Sequence, residues 1–250
     1  MRLQTILTLG MLFIAPSHAA QIALIMDDIG DRKADVDVLT LPPSVTLSVL
    51  PYTPLTTKLA EIGHEKGHEI MLHLPMQALN GKAMGSGGLT SEMGEDEFRQ
   101  QVLSALASVP HVKGVNNHMG SLLTQMGQPM TWLMDTLKQQ QVYFIDSRTT
   151  QYTIAETSAQ KAGVPVLARK LFLDNDVSEQ AIESQFNLMI QQAHIQGQLV
   201  VIAHPYPQTI KFLRANIERL ELEGIQLVTP TQLLSSKFAL QPVSPTLRLK

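Results

Sequence analysis

Ile22-Ala23-Leu24-Ile25-Met26-Asp27-Asp28-Ile29-Gly30 runs five apolar residues into two adjacent carboxylates and then a glycine. A short apolar run that ends in a turn signal reads as a buried strand of a parallel sheet. Acids at the carboxyl end of such a strand stand where α/β folds gather ligands and catalytic groups. Neighbouring aspartates repel each other unless a cation, a proton or hydrogen bonds compensate. The stretch therefore has two readings, a metal-holding site or an Asp-rich turn that caps the next helix. Consecutive side chains of a regular strand point to opposite faces, so both acids serve one site only if the strand has ended by Asp27 and the backbone is turning.

Working outward, Asp31 to Leu39 is a short polar connection with one or two helical turns. Ser44 to Leu50 alternates and is rich in β-branched residues, so it reads as a second strand. Thr53-Pro54 opens a helix that Gly67 closes, and Glu69 to Leu74 is a third strand. Val112 to Asn117, Val142 to Ile145, Val164 to Ala168, Leu199 to Ala203 and Ile225 to Val228 read as further strands. Between them lie helices over Glu95 to Val109, Met130 to Gln140, Ala155 to Ala162, Ser178 to Gly197 and Ile210 to Leu220, then a last turn or two over Pro230 to Ser235. Asn80 to Leu89 holds four glycines but lacks the strand–glycine–helix context of a phosphate loop. About eight strands alternating with helices, with no linker-like break, predict an α/β fold built on a parallel sheet, barrel or open layer. The strand number favours a distorted or incomplete (β/α) barrel of about seven to eight parallel strands over residues 20–236.

The 250 residues are 44% hydrophobic and 16% charged, with a net charge of -3, so no basic excess points to nucleic acid or an anionic membrane. Cysteine is absent, which leaves His, Asp, Glu and water to hold any metal. Residues 1–19 carry Arg2, an apolar core from Ile6 to Ile14 and the small-x-small triplet Ser17-His18-Ala19. They read as a secretory signal cleaved to start the mature chain at Ala20 or Gln21, with an uncleaved anchor as the alternative. The apolar part is shorter than the roughly 20 residues a bilayer span needs, so no span is expected after cleavage. Export without cysteine fits a bacterial periplasm. Residues 237–250, with two prolines, are expected to be an irregular tail.

Chemically capable residues stand at several strand ends: Asp27 and Asp28, His73, His118, Asp146 and His204. Carboxylate and imidazole without thiolate form the ligand set of a catalytic divalent site, zinc foremost. The order of these residues resembles the polysaccharide deacetylase superfamily of carbohydrate esterases, and more closely its divergent, periplasmic bacterial branch. The resemblance lies in Met26-Asp27-Asp28, in Gly67-His68-Glu69-Ile70-Met71-Leu72-His73 and in Val201-Ile202-Ala203-His204. His73-Leu74-Pro75-Met76, Asn117-His118-Met119-Gly120-Ser121 and Asp146-Ser147-Arg148 suggest the divergent branch.

Two departures stand out: the superfamily's second ligand histidine falls at Gln77, and its Arg-Pro motif is replaced by Asn116-Asn117-His118-Met119-Gly120. The resemblance implies a metal held by Asp28 and His73, with His118 as the economical third ligand and His64 or His68 as rivals. It implies Asp27 as general base and His204 as general acid, with Asp146 orienting His204 and Arg148 or Arg169 pairing with Asp27. The implied activity is metal-dependent removal of N-acetyl groups from an amino-sugar glycan of the envelope. A non-catalytic barrel that binds glycan or a protein partner is the alternative.

Overall fold

The computed structural model describes residues 19–239. The signal reading, Ala19 apart, and the tail from residue 240 lie outside them. The strand β1 (Ala20–Ile29) is the centre of a nine-stranded sheet. It pairs in parallel with β2 (Thr46–Val49), beyond which β3 (Ile70–Met76), β4 (Val112–Met119), β5 (Tyr143–Asp146) and β6 (Val166–Ala168) follow in chain order. On its other edge β1 pairs with β8 (Gln198–Ala203), outside which lies β7 (Leu171–Phe172). The short β9 (Ile225–Leu227) pairs with the first residues of β1. Among the described residues no pairing joins β6 to β7, so the sheet curls into an incomplete (β/α) barrel with a seam there.

Period-2 alternation sorts the strand residues into two layers. Ile22, Leu24 and Met26, with Leu47, Leu72, Phe144 and Val201, pack outward under the helices. Those helices are α1 (Thr56–Glu65), α2 (Glu95–Ser108), α3 (Gly127–Gln139), α4 (Ala155–Ala162), α5 (Glu179–Gln196), α6 (Pro207–Asn216), α7 (Arg219–Leu222) and α8 (Pro230–Ala239). Ala23, Ile25, Met71, Ile145, Leu167, Val200 and Ile202 point into the barrel. Leu233 and Leu234 of α8 join this inner cluster with Val228, so the last helix closes the barrel's amino-terminal floor. None of the described helices is long and apolar enough to cross a membrane.

Several sequence expectations shift. The helix predicted from Thr53 starts at Thr56, because the Thr56 hydroxyl accepts from the Thr53 N–H and donates to the Leu50 carbonyl. The two-residue β7 is too short to carry a periodic signal and was absent from the sequence reading. The last helix runs on through Ala239, so residues 237–239, expected to be irregular, are helical.

Leu233 is 1% exposed and Leu222 is 86% exposed. We expect Leu233→Ala to cost about 2–5 kcal/mol in urea unfolding, the range for emptying a packed leucine site. Leu222→Ala should stay within about 0.5 kcal/mol.

Candidate active site

The paired aspartates meet the pleat constraint through a β-bulge rather than by ending the strand. Met26 pairs with Leu47 and Ile29 with Val49, so three steps along β1 match two along β2 and one residue is extra. Asp28 takes up the irregularity with φ 58°, the left-handed region that Asp tolerates better than most residues. Asp27 continues the inward row of Ala23 and Ile25, Asp28 is turned back towards the same mouth, and Ile29 returns to the outer core. Gly30 fixes the exit: its φ is 122°, its N–H donates to Asp35, and a Cβ there would meet the Thr53 hydroxyl at 2.4 Å.

β1, β3 and β4 bring three of the predicted residues together. The Oδ1 of Asp28 lies 2.8 Å from His118 Nδ1 and 3.1 Å from His73 Nε2, and the two ring nitrogens are 3.2 Å apart. These are the described residues grouped as a metal ion would require. His73 stands within β3 rather than past its end, and is buried. The Asp28 Oδ1 is buried without a hydrogen-bond partner despite its two imidazole neighbours. An acceptor left so is costly unless a cation compensates it. Two imidazole nitrogens and a carboxylate oxygen suit a divalent ion. The donor set and the orphaned oxygen therefore fit a metal.

Asn116, which the sequence reading did not single out, organises this group. Its amide donates from Nδ2 to Asp27 Oδ1 at 2.8 Å, since a carboxylate can only accept. Its Oδ1 therefore faces His73 Nδ1 at 2.8 Å and also accepts from the Ser48 hydroxyl at 2.7 Å. His73 Nδ1 must therefore carry a proton, which makes Nε2 the nitrogen that faces Asp28 and His118.

The electrostatics call for positive charge at this point. Burial would lower the His73 pKa, but the charges of Asp27 and Asp28 outweigh it and raise it to about 9. Burial would raise the Asp28 carboxyl, yet the two imidazoles hold it well below the usual carboxylate range. Burial raises the pKa of Asp27, opposed by the charges of His73 and His204 and by Asn116.

His204 follows β8, as expected, but Asp146 does not orient it. Ile145 points into the barrel, so Asp146 points out; its carboxylate accepts from the Arg148 N–H, the Thr153 hydroxyl and the Glu156 N–H at the start of α4. The orienting acid is the buried Asp174, whose Oδ1 lies 2.9 Å from His204 Nδ1 and whose Oδ2 accepts from the His204 N–H and Thr209. Leu171-Phe172-Leu173-Asp174 repeats in miniature the apolar-run-then-acid form of the opening stretch, a signal that could have found it.

Nor does either arginine pair with Asp27. Arg148 forms an ion pair with Glu156, and Arg169 donates to the carbonyls of Ser147 and Arg148. Asn116 takes the place expected of them. Gln77 lies past the end of β3, where its Oε1 accepts the Ser91 N–H and secures the following loop. The rivals His64 and His68 stand at the other end of the barrel: His64 stacks on His111, and His68 bonds the Val45 carbonyl.

The family model of the divergent polysaccharide deacetylases matches residues 24–234. The chain belongs to this family. The uncharacterized protein YibQ of Escherichia coli K12 is 36% identical over 222 residues, which cover 88% of this chain and 69% of that one. The crystal structure of the uncharacterized protein ATU2773 from Agrobacterium tumefaciens C58 gives a TM-score of 0.83 at 18% identity, covering 88% of this chain and 91% of that one. A mutant of BA3943, a CE4 family pseudoenzyme with restored enzymatic activity, gives 0.56 at 13% identity over 86% of this chain and 68% of that one. At these identities the two structures establish a shared fold.

The Asp174–His204 pair is testable in the isolated protein. Burial would lower the His204 pKa, but the hydrogen bond and charge of Asp174, helped by Asp27 and Asp28, raise it. Asp174→Asn removes the leading opposition to burial, so imidazole NMR titration should show the His204 pKa falling. An unchanged value would refute the assigned coupling.

Proposed function

We propose that this protein is an exported, metal-dependent hydrolase that removes N-acetyl groups from an amino-sugar glycan of the cell envelope. The observation that carries this reading is the buried Asp28 Oδ1 between His73 Nε2 and His118 Nδ1, with Asp27 and His204 on the same mouth. Asp28, His73 and His118 would hold the metal, zinc first among the divalent ions this donor set suits. Bound there, such an ion polarises an acyl carbonyl and brings the pKa of a water towards about 7.

The chain's own residues supply the proton transfers. Asp27 has Oδ1 held by Asn116, which leaves Oδ2 to take the proton of the attacking water. His204 has Nδ1 held by Asp174, so Nε2 is the nitrogen that delivers a proton to the departing amine. Asp174 keeps that imidazole protonated to higher pH than burial would allow, and so keeps it competent as the acid.

A second reading, a non-catalytic barrel that binds glycan or a protein partner, draws on Gln77, whose side chain secures a loop, and on the missing arginine motif.

Metal analysis of untagged protein and acetate release from chitooligosaccharides or muropeptides separate the two readings. Asp27→Asn should retain the metal and lose about 100-fold or more of turnover, the scale of general-base catalysis. His118→Ala should lose the metal; wild-type affinity in that variant would overturn the ligand assignment. Failure to load any divalent ion would overturn the hydrolase reading itself.

A further inference from the structure

Arg169 is held in a way that its neighbours do not explain. Its Nε donates to the Ser147 carbonyl at 2.6 Å and its Nη2 to the Arg148 carbonyl at 2.7 Å. Its guanidinium carbon lies 3.8 Å from the centre of the Phe172 ring, and that ring stacks on the His204 imidazole with centroids 5.9 Å apart. Two carbonyls and an aromatic face thus fix the plane of a cation within two stacking distances of the proposed catalytic acid. Among the described residues no carboxylate forms an ion pair with it and Nη1 finds no protein acceptor.

The guanidinium also lines a polar pocket shared with Arg148, Lys170, Asp146, Glu156 and Gln151. Both carboxylates in it are committed: Asp146 accepts from the Arg148 N–H, the Thr153 hydroxyl and the Glu156 N–H, and Glu156 pairs with Arg148. Among the described residues, Arg169 and Lys170 are the pocket's cations without an ion-pair partner, and Asp146 and Asp27 act on Arg169 only from beyond contact. A half-buried arginine whose fork is pre-set and unpaired suits a planar anion, because it has little freedom to lose on binding.

We propose that this pocket, beside the barrel seam between β6 and β7, is a subsite for a carboxylate carried by the glycan, with Arg169 as its principal contact and Lys170 as its second. This rests on the deacetylase reading above and narrows its substrate class from N-acetylated amino-sugar glycans in general to carboxylated ones. Burial and the like charge of Arg148 press on the Arg169 cation more than Asp146 and Asp27 relieve it, and a bound anion offsets the remainder.

The test uses the full metal-loaded chain and three peptide-free ligands: an N-acetylated oligosaccharide with a lactyl ether on the amino sugar, one with a neighbouring uronate, and a neutral chitooligosaccharide. Calorimetry gives dissociation constants, and acetate release is measured in parallel. At least one carboxylated ligand should bind about 10-fold more tightly than the neutral one, as a charged hydrogen-bonded pair implies, and salt should reduce the gap. Which carboxylated ligand gains more identifies the sugar position that carries the acid.

Arg169→Gln should abolish the preference, and Lys170→Gln, at an exposed position, should reduce it. Arg169→Lys should restore part of it, which a purely structural latch would not do. Circular dichroism checks the fold of each variant, and Lys170→Gln keeps the test open should Arg169→Gln fail to fold. Equal affinity for all three ligands, binding of none, or a preference unmoved by these variants would overturn the subsite. Acetate release without the preference would overturn the subsite and leave the hydrolase reading. An Arg169-dependent preference without acetate release would support the subsite and count against hydrolysis.

Discussion

The backbone of Asp28 carries the constraint on which the site depends. A regular strand would send Asp27 into the barrel and Asp28 under the helices, where an unpaired carboxylate among leucines costs several kcal/mol. The extra residue between Met26 and Ile29 removes that conflict. It puts one acid beside the imidazoles and the other within reach of Asn116, and restores Ile29 to the outer core. The cost is a non-glycine residue at φ 58°, on the order of 1–2 kcal/mol. Strain of this kind persists where the surroundings over-determine it. Here Gly30, tied to Asp35 and closely packed on Thr53, fixes the chain immediately beyond.

Around the bulge, the polar groups form one chain of consequences. An acceptor-only carboxylate fixes the orientation of the Asn116 amide, the amide fixes the His73 tautomer, and the tautomer fixes which nitrogen faces Asp28. The second acid–imidazole pair, Asp174 and His204, is built independently from the β7–α5 connection and β8. The first device fixes which His73 nitrogen faces Asp28, and the second fixes which His204 nitrogen is left free of Asp174.

Much of this was legible in the sequence because it is periodic or terminal. Apolar runs ending in Asp or His predicted which strands reach the mouth, and alternation with helices predicted a parallel, incompletely closed barrel. What escaped reading depends on contacts distant in sequence or on deviations from period. Asn116 stands 89 residues from Asp27 and 43 from His73, and the sequence marks its stretch only as the replacement for an expected arginine motif. Asp174 follows a strand of two residues, too short to alternate visibly. Asp146 misled for the opposite reason. It closes an apolar run as the paired aspartates do, but it stands one position after the inward-facing Ile145 and no bulge turns it back as one turns Asp28, so its phase commits it to the start of α4.

The same register logic accounts for the unusual third partner of the group. In the β3–β4 pairing His73 faces Asn116 and Pro75 faces His118. His118 is thus the next residue along on the face that His73 occupies, a diagonal neighbour within side-chain reach. Position 77, where the resemblance led to an expected histidine, lies past the end of β3. There the Gln77 N–H donates to Leu89, its carbonyl accepts from Leu122 and Leu123, and its amide oxygen accepts from Ser91. A histidine at 77 would have to give up the loop contact that the glutamine side chain makes. A histidine at 118 needs only the sheet register, which the β3–β4 ladder already enforces. The imidazole at 118 thus stands beside Asp28 and His73 while Gln77 holds the β3–α2 connection.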